Sequence, residues 1–387
     1  MQIQNIERDG MMNIYLDNAA TTKPCAEAVE AISSALTESY GNPSSLHRMG
    51  LNAQLIVDRA RKAVADSLGT EAANIVFTSG ATESNNLAIR GAAAAYGKRK
   101  KRIVVSSVEH ASVAETMNDI EKKGFEIVRI HPNENGEFDP VDFVTAVNED
   151  TCLISMMLVN NETGYIFPVK EVFTAIKRRF PDVVTHCDCV QGFMKIPVKA
   201  NSLKADLISL SGHKIHGAKG IGALYIKKGV RLFPLITGGK QEKGIRSGTE
   251  SVPLIAGFGA AVEKFVPTIQ ERWERLCSLR SCLLDKLSEI EGVTVNSPSE
   301  GSPYIMNISA AGRRSEIMLH FLEQKGIYVS SGSACSKGAQ SGVLGEFRVS
   351  QKDSDSALRI SMSAETTEAE LEEFAAALAE GIEKIKT

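Results

Sequence analysis

The sequence has no uninterrupted run of about 18 apolar residues, so no helix is expected to cross a membrane. It has no basic excess either: 44 Lys and Arg stand against 47 Asp and Glu, for a net charge of −3. Direct nucleic-acid binding, which needs concentrated positive charge, is not expected. One basic run, Lys98 to Arg102, precedes the apolar triplet Ile103-Val104-Val105. It reads as a solvated loop ahead of a strand, with a phosphate-binding patch as the alternative. The opening MQIQNIERDGMM has neither the basic start nor the apolar segment of a signal peptide, so residues 1–11 read as a disordered leader or an upstream start. Cytoplasmic residence is the default expectation.

Cysteine is sparse. Seven residues, an odd number scattered along the chain, do not suggest a disulfide framework. Cys187-Asp188-Cys189 follows His186, yet no second ligand cluster stands at zinc-finger spacing, so no metal is expected. Cys187 and Cys189 read as packing, with redox sensitivity as the alternative.

What is present is a chain built to fold. Its 387 residues allow two domains, and 43% hydrophobic with 24% charged residues supports a packed core. From about residue 72 to 230, apolar runs alternate with amphipathic stretches. Segments 75–77, 103–105, 125–130, 153–159, 183–186, 207–210 and 222–226 read as strands, and 84–96, 112–123 and 170–179 as helices. This alternation predicts an α/β fold with a mostly parallel central sheet in a large domain. A long helical stretch, whole or broken, follows from about 252 to 289. Strands near 304–308, 327–330 and 358–361 and helices near 316–324 and 367–385 then predict a smaller C-terminal α+β domain. The expected division is an N-terminal segment 1–24 packing with the small domain, a large domain 25–262 and a small domain 263–387.

Three segments carry candidate chemistry. Phe77-Thr78-Ser79-Gly80-Ala81-Thr82-Glu83 passes from a strand through a small turn into a helix, where open N–H groups and the helix dipole favour a phosphate. A plain helix cap explains it as well. Asp188 lies just after the predicted strand 183–186, where a carboxylate can hold a protonated ring nitrogen or cap a helix. Leu210-Ser211-Gly212-His213-Lys214 again follows a strand, and a lysine desolvated there can use its neutral amine as a nucleophile.

Together these segments resemble the fold-type I enzymes that use pyridoxal 5'-phosphate (PLP), and more narrowly the class V aminotransferase family with its NifS/IscS-type cysteine desulfurases. The resemblance spans nearly the whole chain. It runs through Tyr15-Leu16-Asp17-Asn18-Ala19-Ala20-Thr21-Thr22, Gly41-Asn42-Pro43-Ser44-Ser45, residues 79–86, Glu109-His110-Ala111-Ser112-Val113, Val159-Asn160-Asn161-Glu162-Thr163-Gly164, Arg246-Ser247-Gly248-Thr249 and Ser331-Gly332-Ser333-Ala334-Cys335. It implies that Lys214 holds PLP covalently and moves protons, that His110 lies against the cofactor ring and assists acid–base steps, and that Asp188 pairs with the ring N–H. Gln191 would bond the ring O3', with Asn161 near that oxygen and the substrate carboxylate. Ala81, Thr82, Ser211 and His213 would bind the phosphate. Thr249 would reach the phosphate of a neighbouring subunit, making a homodimer with shared active sites. Arg359 would clamp the carboxylate of L-cysteine, oriented with Asn18. His216 receives no role and stays structural.

The reaction implied turns on Cys335, in the small, glycine-rich stretch Ser330 to Gly338, where Lys337 could favour the thiolate. The resemblance implies that L-cysteine becomes L-alanine, that sulfur is held as a persulfide on Cys335, and that it passes to an acceptor such as an iron–sulfur scaffold or a thiolation enzyme. The alternative is a class V aminotransferase, or a selenocysteine or cysteine lyase without persulfide storage. Residues 336–356 lack the Leu-Glu-Pro stretch common after this cysteine in the family, and the segment before Arg359 is shorter. That leaves the acceptor open.

Overall fold

A computed structural model describes residues 13–331 and 342–385, in two units. The larger comprises residues 21–160 and 166–271; the smaller comprises the chain up to Ala20, residues 161–165, and residues from 272 onward. The division between Glu271 and Arg272 falls within the long helical run. The five-residue insertion 161–165 is a feature that the linear division 25–262 does not contain.

The larger unit is built on seven strands: β1 (Ile75–Thr78), β2 (Arg102–Ser106), β3 (Glu126–Ile130), β4 (Thr151–Met157), β5 (Val184–Asp188), β6 (Leu207–Ser211) and β7 (Gly222–Ile226). Their order across the sheet is β1-β7-β6-β5-β4-β2-β3. Neighbours from β6 to β3 pair parallel, whereas β7 runs antiparallel to both β6 and β1. Two reversals bring β1 back to the direction of β6, so β1, β2, β5 and β6 all end at one edge. Strand β4 explains the hydrophobic run in sequence: all seven residues are buried, as expected in the middle of a sheet covered on both faces.

Helices α1 (Ala26–Thr37), α2 (Arg48–Leu68), α3 (Ala81–Tyr96), α4 (Ala111–Glu121), α5 (Pro140–Ala146) and α6 (Val169–Arg179) cover this sheet or flank it. In α6 the buried residues Val169, Val172, Phe173 and Ile176 form one helical face, and Lys177, Arg178 and Arg179 in the last turn suit the negative end of the dipole. The basic run ahead of β2 is more than a solvated loop. Lys101 lies 4.3 Å over the Phe125 ring, and Arg102 pairs with Glu126 at 3.0 Å.

The long helical run is broken. Helix α7 (Val252–Phe265) and helix α8 (Ile269–Ser288) meet at a tight turn, Val266-Pro267-Thr268, where proline has no N–H to continue the ladder. One window of this run is long and apolar enough, by length and composition only, to span a membrane. The apolar residues of α7 belong to the core instead: Val252, Ile255, Phe258, Val262 and Phe265 are buried, and the helix lies on α1 and α2.

The smaller unit holds a four-stranded antiparallel sheet of β8 (Val293–Val295), β9 (Ile305–Ala310), β10 (Ser330–Ser331) and β11 (Ala357–Ser361), in the order β10-β11-β9-β8. Ile14–Tyr15 pairs with Ile327–Tyr328, which ties the chain's start to this unit. Helix α9 (Ser315–Gln324) packs on helix α10 (Glu368–Lys384), and α10 opens with a capping box between Thr367 and Glu370.

Candidate active site

In an open α/β sheet, ligands settle at the carboxyl ends of the strands. Four such ends in the larger unit carry the candidate residues. After β1, Gly80 stands as N-cap of the 16-residue helix α3 with no side-chain cap, and its φ of +152° is one that residues with a Cβ rarely adopt. The first turn, with Ala81 and Thr82, therefore presents N–H groups and the positive end of the dipole. Gly222 makes room for this turn. A Cβ there would stand 2.5 Å from the Leu210 carbonyl oxygen and 2.7 Å from Gly80 Cα. Arg246 pairs with Glu83 at 2.9 Å, which pins the segment leading to Thr249 onto the same turn; Thr249 itself is exposed.

After β6, Ser211 is buried and Gly212–Lys214 forms a single tight helical turn. Gly212 is held by its N–H to Ile221 O at 2.9 Å, and its own carbonyl accepts from Ile215 and Gly217. His213 Nδ1 meets Thr21 Oγ1 at 3.2 Å, and its carbonyl accepts from the Thr22 N–H and hydroxyl. Burial, with Lys214, Lys219 and Lys195 nearby, pushes the His213 pKa down to about 4, so the ring is neutral at pH 7. His216, at φ +61°, donates its N–H to Thr22 and meets Lys23 O through Nδ1, a structural use.

Asp188 is the last residue of β5 and is buried. Its Oδ1 accepts from the Val190 N–H at 2.9 Å, and its Oδ2 from Asn85 Nδ2 at 2.8 Å. Gln191 is buried on the following turn, and its Oε1 accepts from Lys195 Nζ at 2.7 Å. An ammonium is donor-only, so Lys195 fixes which end of the Gln191 amide is oxygen. Sequence reading missed Lys195; its spacing four residues after Gln191 was the available signal.

After β2, His110 caps α4 with Nδ1, which accepts from the Ser112 N–H at 3.1 Å and lies 2.9 Å from Ser112 Oγ. The backbone donor favours Nδ1 as an acceptor and Nε2 as the nitrogen that carries the proton. Burial lowers the His110 pKa, opposed by Asp188 and aided by Lys214. His110 therefore senses both Asp188 and Lys214 within this unit.

The neighbouring Glu109 is buried. Its Oε1 accepts from the Met157 N–H at 2.8 Å and from the Ser106 hydroxyl, while Oε2 has no partner among the described residues. Burial raises its pKa to about 8, against the two hydrogen bonds and with help from Asp188. Between the ordinary carboxylate range and about 8, the folded state holds a proton the unfolded chain has lost. That contribution is therefore complete below the ordinary value and fades as pH rises through this window. Urea unfolding at pH 5.5 and 7.5 is expected to show the wild type losing about 2 kcal/mol over this range relative to Glu109→Gln. Equal pH slopes for the two proteins would refute the assignment.

The cysteines beside Asp188 are packing. Cys187 and Cys189 are fully buried with their sulfurs 3.4 Å apart, and burial raises the Cys187 pKa. His186 is a core residue as well. Its nitrogens lie 2.8 Å from Ser155 Oγ and 2.9 Å from Ser209 Oγ, and burial pushes its pKa down to about 3.

The remaining candidates belong to the smaller unit. Arg359, on β11, is buried; Nη2 donates to Asp17 at 2.9 Å and Nη1 to the Asn161 carbonyl at 3.1 Å. Its Nε has no partner among the described residues, a buried donor suited to a carboxylate. Asn18 donates its Nδ2 to the carbonyls of Ser361 at 3.0 Å and Tyr15 at 3.3 Å, which holds this segment to β11. Cys335 and Lys337 lie outside the described residues.

Residues 14–374 match the aminotransferase class-V family. The cysteine desulfurase IscS of Dictyoglomus turgidum is 40% identical over 378 residues, covering 97% of this chain and 95% of that one. A solved NifS-like protein superposes with a TM-score of 0.92 at 37% identity, over 97% of this chain and all of its own. SspA, solved in complex with cysteine, gives 0.81 at 32% identity over 92% of this chain and all of its own. Enzymes of this family depend on PLP, and the residues here fit it. An uncapped helix start faces a glycine turn that a Cβ would crowd, and each buried Asp188 oxygen holds one donor with a lone pair to spare. The chain belongs to the class V aminotransferase family, and within it to the NifS/IscS-type cysteine desulfurases.

Proposed function

We propose that this enzyme converts L-cysteine to L-alanine and stores the sulfur as a persulfide on Cys335 for transfer to an acceptor protein. The observation that carries the reading is the gathering of Lys214, Asp188, His110 and the open start of α3 at one edge of the sheet. SspA, related over its whole length, has been solved with cysteine bound, which supports the substrate.

PLP, when bound, supplies an electron sink for charge developing at the substrate's α-carbon. Lys214 anchors the cofactor through Nζ and moves the α-proton; His110, protonated at Nε2, is the second proton carrier; Asp188 holds the ring N–H. Ala81, Thr82, Ser211 and His213 bind the phosphate, and Gln191 donates to O3', with Asn161 assigned beside it. The Cys335 thiolate bonds to the substrate sulfur as the Cβ–S bond breaks. The electron pair of that bond stays with the carbon skeleton, which takes up protons and leaves as alanine.

Arg359 receives the substrate carboxylate. Arg359→Lys keeps the charge and loses the planar fork, so KM for cysteine is expected to rise about 10- to 100-fold, with kcat changed much less. Steady-state alanine production checks this, and an unchanged KM sinks the assignment. A homodimer in which Thr249 serves the partner's phosphate, an iron–sulfur scaffold or thiolation enzyme as acceptor, and cytoplasmic residence complete the reading. Mass spectrometry of the protein after exposure to cysteine tests the whole. One added sulfur on the peptide containing Cys335 is expected, and its absence while alanine accumulates would overturn persulfide storage.

A further inference from the structure

We propose that Asn85 is a positioning residue of the cofactor site: one amide group orients Asp188 and, through Ser112, fixes the tautomer of His110. The inference rests on the family's PLP site and extends to a residue behind it. Asn85 lies in the second turn of α3 and is fully buried. Its Nδ2 is 2.8 Å from Asp188 Oδ2 and 2.8 Å from Ser112 Oγ. A carboxylate only accepts, so the amide cannot be turned end for end, and both of its hydrogens are directed.

The consequences run to two residues. Ser112 Oγ accepts from Asn85, which turns its own hydrogen towards His110 Nδ1, 2.9 Å away. That hydrogen joins the Ser112 N–H at the same nitrogen, so two donors hold Nδ1 bare and the ring proton stays on Nε2. At the other end, Asn85 and the Val190 N–H each take one Asp188 oxygen, which sets the plane of the carboxylate and the direction of its remaining lone pairs. A packing role does not account for Asn85. Its Oδ1 is buried with no partner among the described residues, a penalty that leucine or methionine would avoid.

The test uses the full-length protein with and without PLP. Nitrogen NMR of ¹⁵N-histidine-labelled protein reports the His110 tautomer, with its resonances assigned by their loss in His110→Gln. Titration with PLP reports cofactor affinity. Asn85→Leu is expected to weaken PLP binding at least about tenfold and to mix the His110 tautomers. Asn85→Ala, which leaves space rather than a misfit, should move both readouts the same way even if the leucine variant fails to fold. Ser112→Ala should shift the His110 resonances and leave PLP affinity within about threefold, because the Asn85–Asp188 bond remains. Wild-type affinity and an unchanged His110 spectrum in Asn85→Ala would overturn the proposal. So would a loss of PLP affinity in Ser112→Ala as large as in the Asn85 variants. Failure of the wild type itself to bind PLP would instead bring down the cofactor site, and this inference with it.

Discussion

Cys335→Ala is expected to form no persulfide and to make alanine from cysteine at least about 10³-fold more slowly, while keeping the absorbance of bound PLP. The size follows from the loss of a nucleophile. Removing a side chain that forms the covalent intermediate leaves only the residual catalysis of binding and polarisation. Without a thiolate to bond to the sulfur, the Cβ–S pair cannot stay with the carbon skeleton; sulfur that departs as sulfide takes the pair with it, and the skeleton ends as pyruvate and ammonia instead of alanine. The PLP absorbance should persist because Lys214, Asp188 and the α3 turn, which are assigned to hold the cofactor, are left intact. Alanine by chromatography and sulfide by colorimetry, on one sample, decide the matter. Full sulfide release by the alanine variant would move the enzyme to the lyase or aminotransferase chemistry that stores no sulfur.

Lys214→Ala is expected to abolish turnover, with a drop of about 10⁴-fold or more, and to yield protein that loses its cofactor on gel filtration. Two functions vanish together: the covalent anchor and the base that moves the α-proton, the second alone contributing typically about 10²–10⁴. Lys214→Arg makes the sharper comparison. The charge remains, but a guanidinium does not give up its proton in a protein, so it can neither form the bond nor act as base. It should be as inactive as the alanine variant. A small primary amine added to Lys214→Ala should restore a measurable fraction of activity by supplying the missing base. Activity of Lys214→Arg within tenfold of the wild type would remove Lys214 from its central place.

Much of this site was legible because its residues stand at strand ends, and strand ends can be read. The run Leu207 to Leu210 announces β6, and the turn that follows must hold Lys214. The stretch before Asp188 works the same way, although Asp188 closes its strand rather than following it. Helix α2 escaped notice because its buried stripe is Gly50, Ala53, Val57, Ala60 and Val64, too small to stand out against a polar background. Helix α5 carried a signal that went unused, Asp139 as N-cap with Pro140 at the first helical position. The supporting polar contacts were beyond reach for a different reason. Asn85 and Asp188 are 103 residues apart, and Arg359 and Asp17 are 342 apart; no spacing rule connects them. The Asn18 contacts were hidden in the same way, since only the fold reveals that its amide faces Ser361.

The return of the chain from β6 to β7 has a consequence of its own. Residues 212–221 link two paired strands, and three bonds to Gly212 and Ile221 close the loop on itself. Lys214 therefore rides on a backbone whose torsions are settled during folding. Only the rotatable bonds of one side chain remain for its amine to search, each worth a fraction of the disorder that a free loop would surrender. Capture of the cofactor should accordingly demand little ordering of the main chain here, and amide hydrogens of this turn should exchange slowly even before PLP arrives.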